Sequence, residues 1–369
     1  MISNIKIDDY LELMSIDKLQ LPKEWSGEDF STTIENHFKN YIESLELVIS
    51  KADIIEISEI CESILNSIKS YHNGKPSEAY KKFEKFMNSN LGGRKLIDYP
   101  SDWEKTFFGR DNDPFLLYRI RNVDKDKPLN LEEIFHVPFS YRSRISTSRY
   151  SIPGYPCLYL ASELELCVEE TKTNDSTKIQ IASRFEVERS ESIEIIDMGI
   201  KPSHFTDYKK YNIDNSQYIF NINTHDIEDR EIYMQKYFGY IDLMNEDVVK
   251  KYLYWYPLIS ACSFIRKNRS HPFASEYIIP QMLMQWVREK SSEYNLIAIR
   301  YFSSASEEAS KKGFNYVFPV TDKRLYRNKN LCHKLSNGFK ISKPIRINKN
   351  EELNDYQNRL KNIDELFKV

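Results

Sequence analysis

The 369-residue chain carries 52 basic and 55 acidic residues, a net charge of −3, and is 41% hydrophobic and 13% aromatic. This composition predicts a folded protein with a substantial core and enough length for two domains. The balanced charge gives no reason to expect a nucleic-acid partner. No membrane span is expected, because the longest apolar run, at about residues 252–265, is too short and contains Pro257.

Glycine and cysteine usage narrow the class of protein further. Only 10 glycines are present and no Gly-rich phosphate-binding motif occurs, so a bound nucleotide would be held by side chains. The five cysteines are scattered without a CxxC pair, which predicts a reducing, cytoplasmic environment and neither a disulfide framework nor a metal site. The cysteines are Cys61, Cys157, Cys167, Cys262 and Cys332. The N-terminus lacks the architecture of a signal peptide, which also favours the cytoplasm.

The chain begins with a helical region. Apolar residues recur at spacings of three and four over residues 30–90, which predicts three helices packed as a small bundle without chemistry of its own. The polar, turn-rich stretch at about 94–113 predicts a linker. We therefore expect an N-terminal helical domain over residues 1–110.

Short strands and helices alternate after this linker. Strands are predicted at 115–121, 157–161, 192–197, 296–302 and 316–320. Helices are predicted at about 162–172, 241–265 and 280–291, and long irregular loops at 122–148 and 202–231. This pattern predicts a mixed α+β domain over residues 111–345. The charged amphipathic end of the chain, residues 346–369, predicts a C-terminal surface or docking helix.

Arginines are the first candidates for binding chemistry. Arg119 interrupts an apolar strand, where it either lies on a solvated face or binds a phosphate with its planar fork. Arg142, Arg144 and Arg149 follow His136 and precede a Pro-Gly turn. Such a cluster suits an anion, although several of its members can equally be exposed, and Arg149 is the strongest candidate.

An aromatic, an acid and a hydroxyl complete the candidate set. Tyr159 is either a core tyrosine or a platform on which a cationic ring stacks. Glu169 and Glu170 are adjacent on a helix, so that one faces the strand ends while the other turns about 100° away, unless both are solvated. Ser303 and Ser304 follow a strand, where one either caps the next helix or serves an active site.

Together these residues resemble the RES domain family. The resemblance rests on Leu117-Tyr-Arg119, Ser148-Arg-Tyr-Ser-Ile-Pro-Gly154, Pro156-Cys-Leu-Tyr-Leu-Ala161, Glu170 and Ile299-Arg-Tyr-Phe-Ser303. It covers about residues 115–330, and the block from Arg149 to Glu170 is its most specific part. It implies an ADP-ribosyltransferase-like fold, and the helical region resembles the extra domain of longer members.

The resemblance also implies a function. RES proteins include bacterial toxins that degrade NAD⁺, in some cases by phosphorolysis to nicotinamide and ADP-ribose 1″-phosphate. By position, Arg119, Glu170 and Ser303 are implied to be catalytic, and Arg149, Tyr159 and Arg119 to bind the substrate. NAD⁺ is then a substrate and phosphate a co-substrate, with neither a resident cofactor nor a metal. An antitoxin or other regulatory protein is implied as a partner.

Several alternatives remain open at this stage. Water or a protein side chain could replace phosphate as the nucleophile, which would make the chain a glycohydrolase or a protein ADP-ribosyltransferase. A non-catalytic interaction protein with a degenerate RES fold is the alternative from another class. The oligomeric state is also open, with a homodimer as one option.

Overall fold

The computed structural model describes most of the chain. The described residues are 7–25, 29–46, 48–89, 91–92, 116–125, 131–172, 175–188, 193–217, 243–268, 270–293, 296–321, 330–348 and 352–368. The predicted linker at 94–113 lies outside them, as does the part of the predicted loop that follows residue 217. Within the described residues, no helix combines the length and apolar character needed to cross a bilayer.

The chain forms two compact units, and each contains two stretches of sequence. One unit comprises residues 1–102 and 200–267, and the other comprises residues 103–199 and 268–369. The predicted domain boundaries differ over 200–267, which the sequence pattern assigned to the second domain. In the structure this stretch packs with the N-terminal helices, and two tyrosines show why: Tyr41 donates a hydrogen bond to the carbonyl of Leu253 (2.7 Å), and Tyr256 to that of Leu19 (2.8 Å).

The first unit is helical. Its helices are α1 (Ile7–Ser15), α2 (Phe30–Leu45), α3 (Lys51–His72), α4 (Pro76–Met87), α7 (Pro202–Gln217) and α8 (Glu246–Ala261). Side-chain caps define several starts, because the first amide groups of a helix lack partners within it. Ser50 accepts from the amide of Asp53, and Asn245 from that of Asp247. The prediction of an irregular loop from residue 202 is wrong, since α7 begins there.

The second unit is a mixed sheet with helices. Its strands are β1 (Leu116–Asp124), β2 (Cys157–Ala161), β3 (Lys178–Val187), β4 (Ile193–Met198), β5 (Leu296–Phe302), β6 (Phe314–Pro319), β7 (Phe339–Ser342), β8 (Ile345–Ile347) and β9 (Leu366–Phe367). Its helices are α5 (Leu131–Ile134), α6 (Leu164–Glu170), α9 (Ile278–Lys290), α10 (His333–Gly338) and α11 (Leu353–Lys361). The predicted α+β class is confirmed, and a mixed sheet after a helical region fits the ADP-ribosyltransferase-like fold that the resemblance implies.

The order of the strands brings distant parts of the sequence together. The order is β4-β5-β6-β2-β1-β3-β7-β9, with β8 also pairing with β3. Only the β4–β5 pair is parallel among the described strands. Because β6 runs antiparallel to both β2 and β5, the ends of β2 and β5 meet the start of β6 at one edge of the sheet. In register, Ala161 faces Asn315, and Asn315 faces Tyr301.

Several predicted elements need correction. The strand β3 was not predicted, and the irregular loop predicted from residue 122 starts later because β1 continues to Asp124. At the end of the chain the predicted helix is shorter, because α11 ends at Lys361 and β9 then pairs with β7. This end also packs on its own unit, since Tyr356 and Leu360 are fully buried.

A buried ion pair joins β4 to β5 behind the strand ends. Arg300 Nη1 lies 3.0 Å from Asp197 Oδ2, and both side chains are almost fully withdrawn from solvent. Asp197 Oδ1 also accepts a hydrogen bond from the amide of Gly199 (2.8 Å), and the Arg300 guanidinium lies 3.8 Å from the ring centre of Phe314. The pair therefore fixes the neighbouring strands three residues before Ser303.

Removal of one partner should strongly destabilise the protein. We expect Asp197→Ala to lower the free energy of unfolding by about 3–5 kcal/mol, because it leaves a buried guanidinium without its carboxylate. Urea denaturation of the full chain followed by circular dichroism would measure the loss. The control is Glu307→Ala, which breaks an exposed pair with Lys311 and should cost less than about 1 kcal/mol. An unchanged midpoint in Asp197→Ala would contradict the role assigned to the pair.

Candidate active site

Glu170 is held by two hydrogen bonds at the edge where β2, β5 and β6 meet. Ser303, directly after β5, donates its hydroxyl to Glu170 Oε1 at 2.6 Å. Asn315, in β6, donates its amide to the same oxygen at 2.9 Å. Ser303 and Asn315 are buried, whereas Glu170 is exposed overall. Within the described residues Oε2 accepts no hydrogen bond, so this oxygen is the one left to meet a ligand.

The adjacent Glu169 has a different environment. Its carboxylate pairs with Lys172 and with Lys312, the latter at 3.2 Å. The hydrogen bond from Lys172 is the main reason why the pKa of Glu169 lies below its usual value. The two acids thus diverge as neighbours on a helix must, and Glu170 is the one that reaches the strand ends.

The hydroxyl of Ser303 serves two partners at once. It donates to Glu170 and accepts a hydrogen bond from the amide of Ala305 (3.1 Å). The bond to Ala305 is a turn within the loop and not the helix cap that the sequence suggested, because the next helical turn is Ala309–Lys311 and has Glu308 at its N-cap. Because a hydroxyl has a single proton, Ser303 uses its donor for Glu170 in this arrangement.

Arg119 lies in β1, and its guanidinium reaches the backbone of the neighbouring strand β2. Its Nη1 donates to the carbonyl oxygen of Tyr159. Its Nε is buried and has no hydrogen-bond partner among the described residues. Burial, followed by the charge of Arg121, lowers the pKa of Arg119 to about 9, so the guanidinium is still a cation at neutral pH. The side chain is thus a partly buried cation, and its Nε is a donor that the described residues do not use.

Tyr159 ties its strand to the turn before it. Its hydroxyl lies 2.7 Å from Ser151 Oγ. Burial raises the pKa of Tyr159 far above its ordinary value, so the phenol stays protonated. The ring is only half-buried. Its proposed stacking against a ligand ring stays a prediction.

The turn that carries Arg149 is closed by backbone pairing. Ser148 and Ser151 exchange two backbone hydrogen bonds of 3.0 and 3.1 Å, and Gln281 of α9 donates to the carbonyl oxygens of both. Gly154 ends the turn at a φ of +83°, which favours glycine. Arg149 is buried within this frame, and its guanidinium lies 4.9 Å from the ring centre of Tyr277.

The pKa values of two buried side chains, Tyr301 and Cys167, are shifted by the charges of several candidate residues. Burial raises the pKa of Tyr301 well above its usual value, Tyr159 and Glu170 raise it further, and Arg149 lowers it. Burial likewise raises the pKa of the Cys167 thiol to about 12, while Arg119 lowers it and Glu170 raises it. The charge of Glu170 thus acts on both side chains, that of Arg149 on Tyr301 and that of Arg119 on Cys167.

The other members of the arginine cluster have separate environments. Arg144 is exposed and stacks over Tyr141, and Arg142 lies over Phe139. His136 is fully buried; its Nδ1 donates to the carbonyl of Val137 (2.9 Å), and its Nε2 accepts from the amide of Cys332 (2.8 Å). Arg142 and Arg144 thus lie over aromatic rings of their own segment, whereas His136 connects two stretches of backbone.

Sequence reasoning missed Asn315 and Tyr301. Asn315 was placed just before the predicted strand 316–320, although β6 begins at Phe314. The available signal was a lone amide beside an apolar, aromatic run. Among the described residues, no group of three or more His, Cys, Asp or Glu side chains lies in an arrangement that could hold a metal ion.

Comparison with known proteins gives two matches. Residues 116–228 match the model of the RES domain. This range contains Arg119, Arg149, Tyr159 and Glu170 and ends before Ser303. A protein of Bacillus subtilis (strain 168) named "Putative toxin YopC" is 31% identical over 355 residues, which cover 92% of this chain and 71% of the relative. No solved structure matches the chain.

The buried His136 predicts loss of stability in acid. Burial lowers its pKa from 6.5 to about 4, so between these values the unfolded chain binds a proton that the folded chain does not. Stability should therefore fall as the pH drops from about 6.5 to about 4, by up to about 3 kcal/mol from this residue. Urea midpoints of the wild type and of His136→Gln across this pH range measure the effect.

The glutamine in His136→Gln can still accept from the Cys332 amide but does not titrate. We expect a shallower pH dependence in the variant, provided that it folds at pH 7. Parallel curves for the two proteins would show that His136 does not contribute.

Proposed function

Because the chain belongs to the RES domain family, we propose that it is a toxin enzyme that breaks the nicotinamide–ribose bond of NAD⁺. Inorganic phosphate is the proposed attacking group, and the products are nicotinamide and ADP-ribose 1″-phosphate. The observation that carries the proposal is Glu170, whose Oε1 is fixed by Ser303 and Asn315 while Oε2 is left open to a ligand.

A fixed carboxylate is the group that this reaction needs. The bond between ribose C1 and the ring nitrogen breaks with its electron pair passing to the ring, so nicotinamide leaves as a neutral molecule without a general acid. Positive charge then develops on the ribose, as in glycoside transfer. A carboxylate held in place before the reaction stabilises that charge without reorganising. A phosphate oxygen then forms the new bond to C1.

The two arginines suit the two anions of the reaction. The fork of a guanidinium binds phosphate oxygens in pairs. We assign Arg149, fixed by its closed turn, to the diphosphate of NAD⁺. Arg119, a partly buried cation whose Nε has no hydrogen-bond partner among the described residues, is assigned to the attacking phosphate. Tyr159, which is half-buried and follows both arginines in the sequence, offers its ring to the nicotinamide or its ribose.

A cell that makes such an enzyme must restrain it. The relative in Bacillus subtilis has a name that describes a toxin. We therefore propose an antitoxin, or another regulatory protein, as the partner of this chain. Its binding would have to block Glu170 or access to the open Oε2.

The proposed activity is tested with purified full-length protein and NAD⁺, with and without phosphate. We expect NAD⁺ to be consumed faster in phosphate, with phosphorus NMR showing a new phosphomonoester resonance from ADP-ribose 1″-phosphate. ADP-ribose alone would identify water as the nucleophile, and label from NAD⁺ on protein would identify a transferase. Survival of NAD⁺ under all these conditions at high enzyme concentration would overturn the proposal.

A pair of neighbouring variants tests the assignment of the acid. Glu170→Ala should lower kcat by about 10²–10³-fold, because it removes the preorganised charge opposite the developing cation. Glu169→Ala, the matched control on the same helix, removes only the pairs with Lys172 and Lys312 and should retain activity. Equal losses in the two variants would contradict the role of Glu170.

A further inference from the structure

Asn315 is an anomaly in its strand. Every residue of β6 is buried, and the others in its run from Phe314 to Pro319 are aromatic or apolar. An amide buried without a partner costs about 1–3 kcal/mol, so such a residue is kept where its hydrogen bond matters. The side-chain amide of Asn315 donates to Glu170 Oε1 at 2.9 Å.

We propose that Asn315 is a positioning residue for the reaction, which acts by fixing the carboxylate of Glu170 so that Oε2 faces the ribose. This inference rests on the proposed function. A carboxylate held by a single donor can still pivot about that hydrogen bond. Two donors that reach Oε1 from different elements, Ser303 and Asn315, restrict this movement and fix the direction of Oε2. They satisfy one oxygen and leave the other for the substrate.

The location of Asn315 makes it the more rigid of the two donors. Ser303 follows the end of β5 and lies in a loop. Asn315 lies inside β6, which is paired on both sides, opposite Ala161 of β2 and Tyr301 of β5. The position of a donor on a strand that is paired on both sides is fixed more firmly than the position of a donor on a loop. Asn315 therefore defines the direction from which Glu170 is held.

The first test compares Asn315→Ala with the wild type in the NAD⁺ assay. We expect kcat to fall by about 10- to 100-fold, the range for a lost hydrogen bond to a charged group, while KM changes less than about twofold. Asn337→Ala is the control, because its amide lies near the His333 ring of α10 and should leave kcat unchanged. An increase in KM alone would mean that Asn315 touches the substrate and would overturn the proposal.

A second variant separates positioning from folding. Asn315→Asp keeps the shape of the side chain but places an oxygen where the donor was, opposite the Glu170 carboxylate. We expect it to lose at least as much kcat as Asn315→Ala, with melting temperatures that identify any loss of folded protein. Full activity of Asn315→Asp would overturn the proposal, whatever the folding of the alanine variant.

The coupling of the two residues is the decisive readout. If Asn315 acts only through Glu170, Glu170→Ala and the double variant Glu170→Ala/Asn315→Ala have the same residual rate. A further loss in the double variant, equal to the loss in the wild-type background, would overturn the role. A wild-type protein without NAD⁺ turnover would overturn the proposed function and this role together, whereas an active wild type with fully active Asn315→Ala would overturn this role alone.

Discussion

The antiparallel pairing of β6 with both β2 and β5 is the constraint on which the candidate site depends. This pairing brings the strand before Glu170, the strand before Ser303 and the strand that contains Asn315 to one sheet edge. A slip by one residue would turn Asn315 to the opposite face of the sheet. The buried pair between Arg300 and Asp197 joins β5 to its other neighbour, β4, and so stabilises the sheet next to this edge.

The apolar strands could be predicted because their signal is local. The runs 157–161 and 296–302 agree with β2 and β5 at both ends. The strand β3 was not predicted because it mixes Lys, Gln, Ser and Arg with apolar residues. Its partners on either side, β1 and β7, are also far away in the sequence. The grouping of residues 200–267 with the N-terminal helices has no signature along the chain either, because it depends on contacts such as that between Tyr41 and Leu253.

The sequence indicates which types of residue form the candidate site more readily than it indicates which of them contact each other. The resemblance singled out Glu170 by its position, and the structure adds the physical difference, because the carboxylate of Glu169 pairs with two lysines. Ser303 rather than Ser304 donates a hydrogen bond to Glu170, a contact between residues 133 positions apart that the sequence does not reveal. Asn315 depends wholly on strand pairing, because an asparagine alone carries no chemical pattern.

The interleaving of the two units limits how the protein can be dissected. The sheet unit is interrupted by residues 200–267, whose helix α8 is covered by the N-terminal helices. A fragment that starts at residue 103 would keep α8 but discard its cover, and would expose side chains such as Tyr252, Leu253 and Tyr256 to water. Such a fragment would aggregate before it could be assayed. The helical unit therefore cannot be removed by a single proteolytic cut or by a simple truncation of the gene.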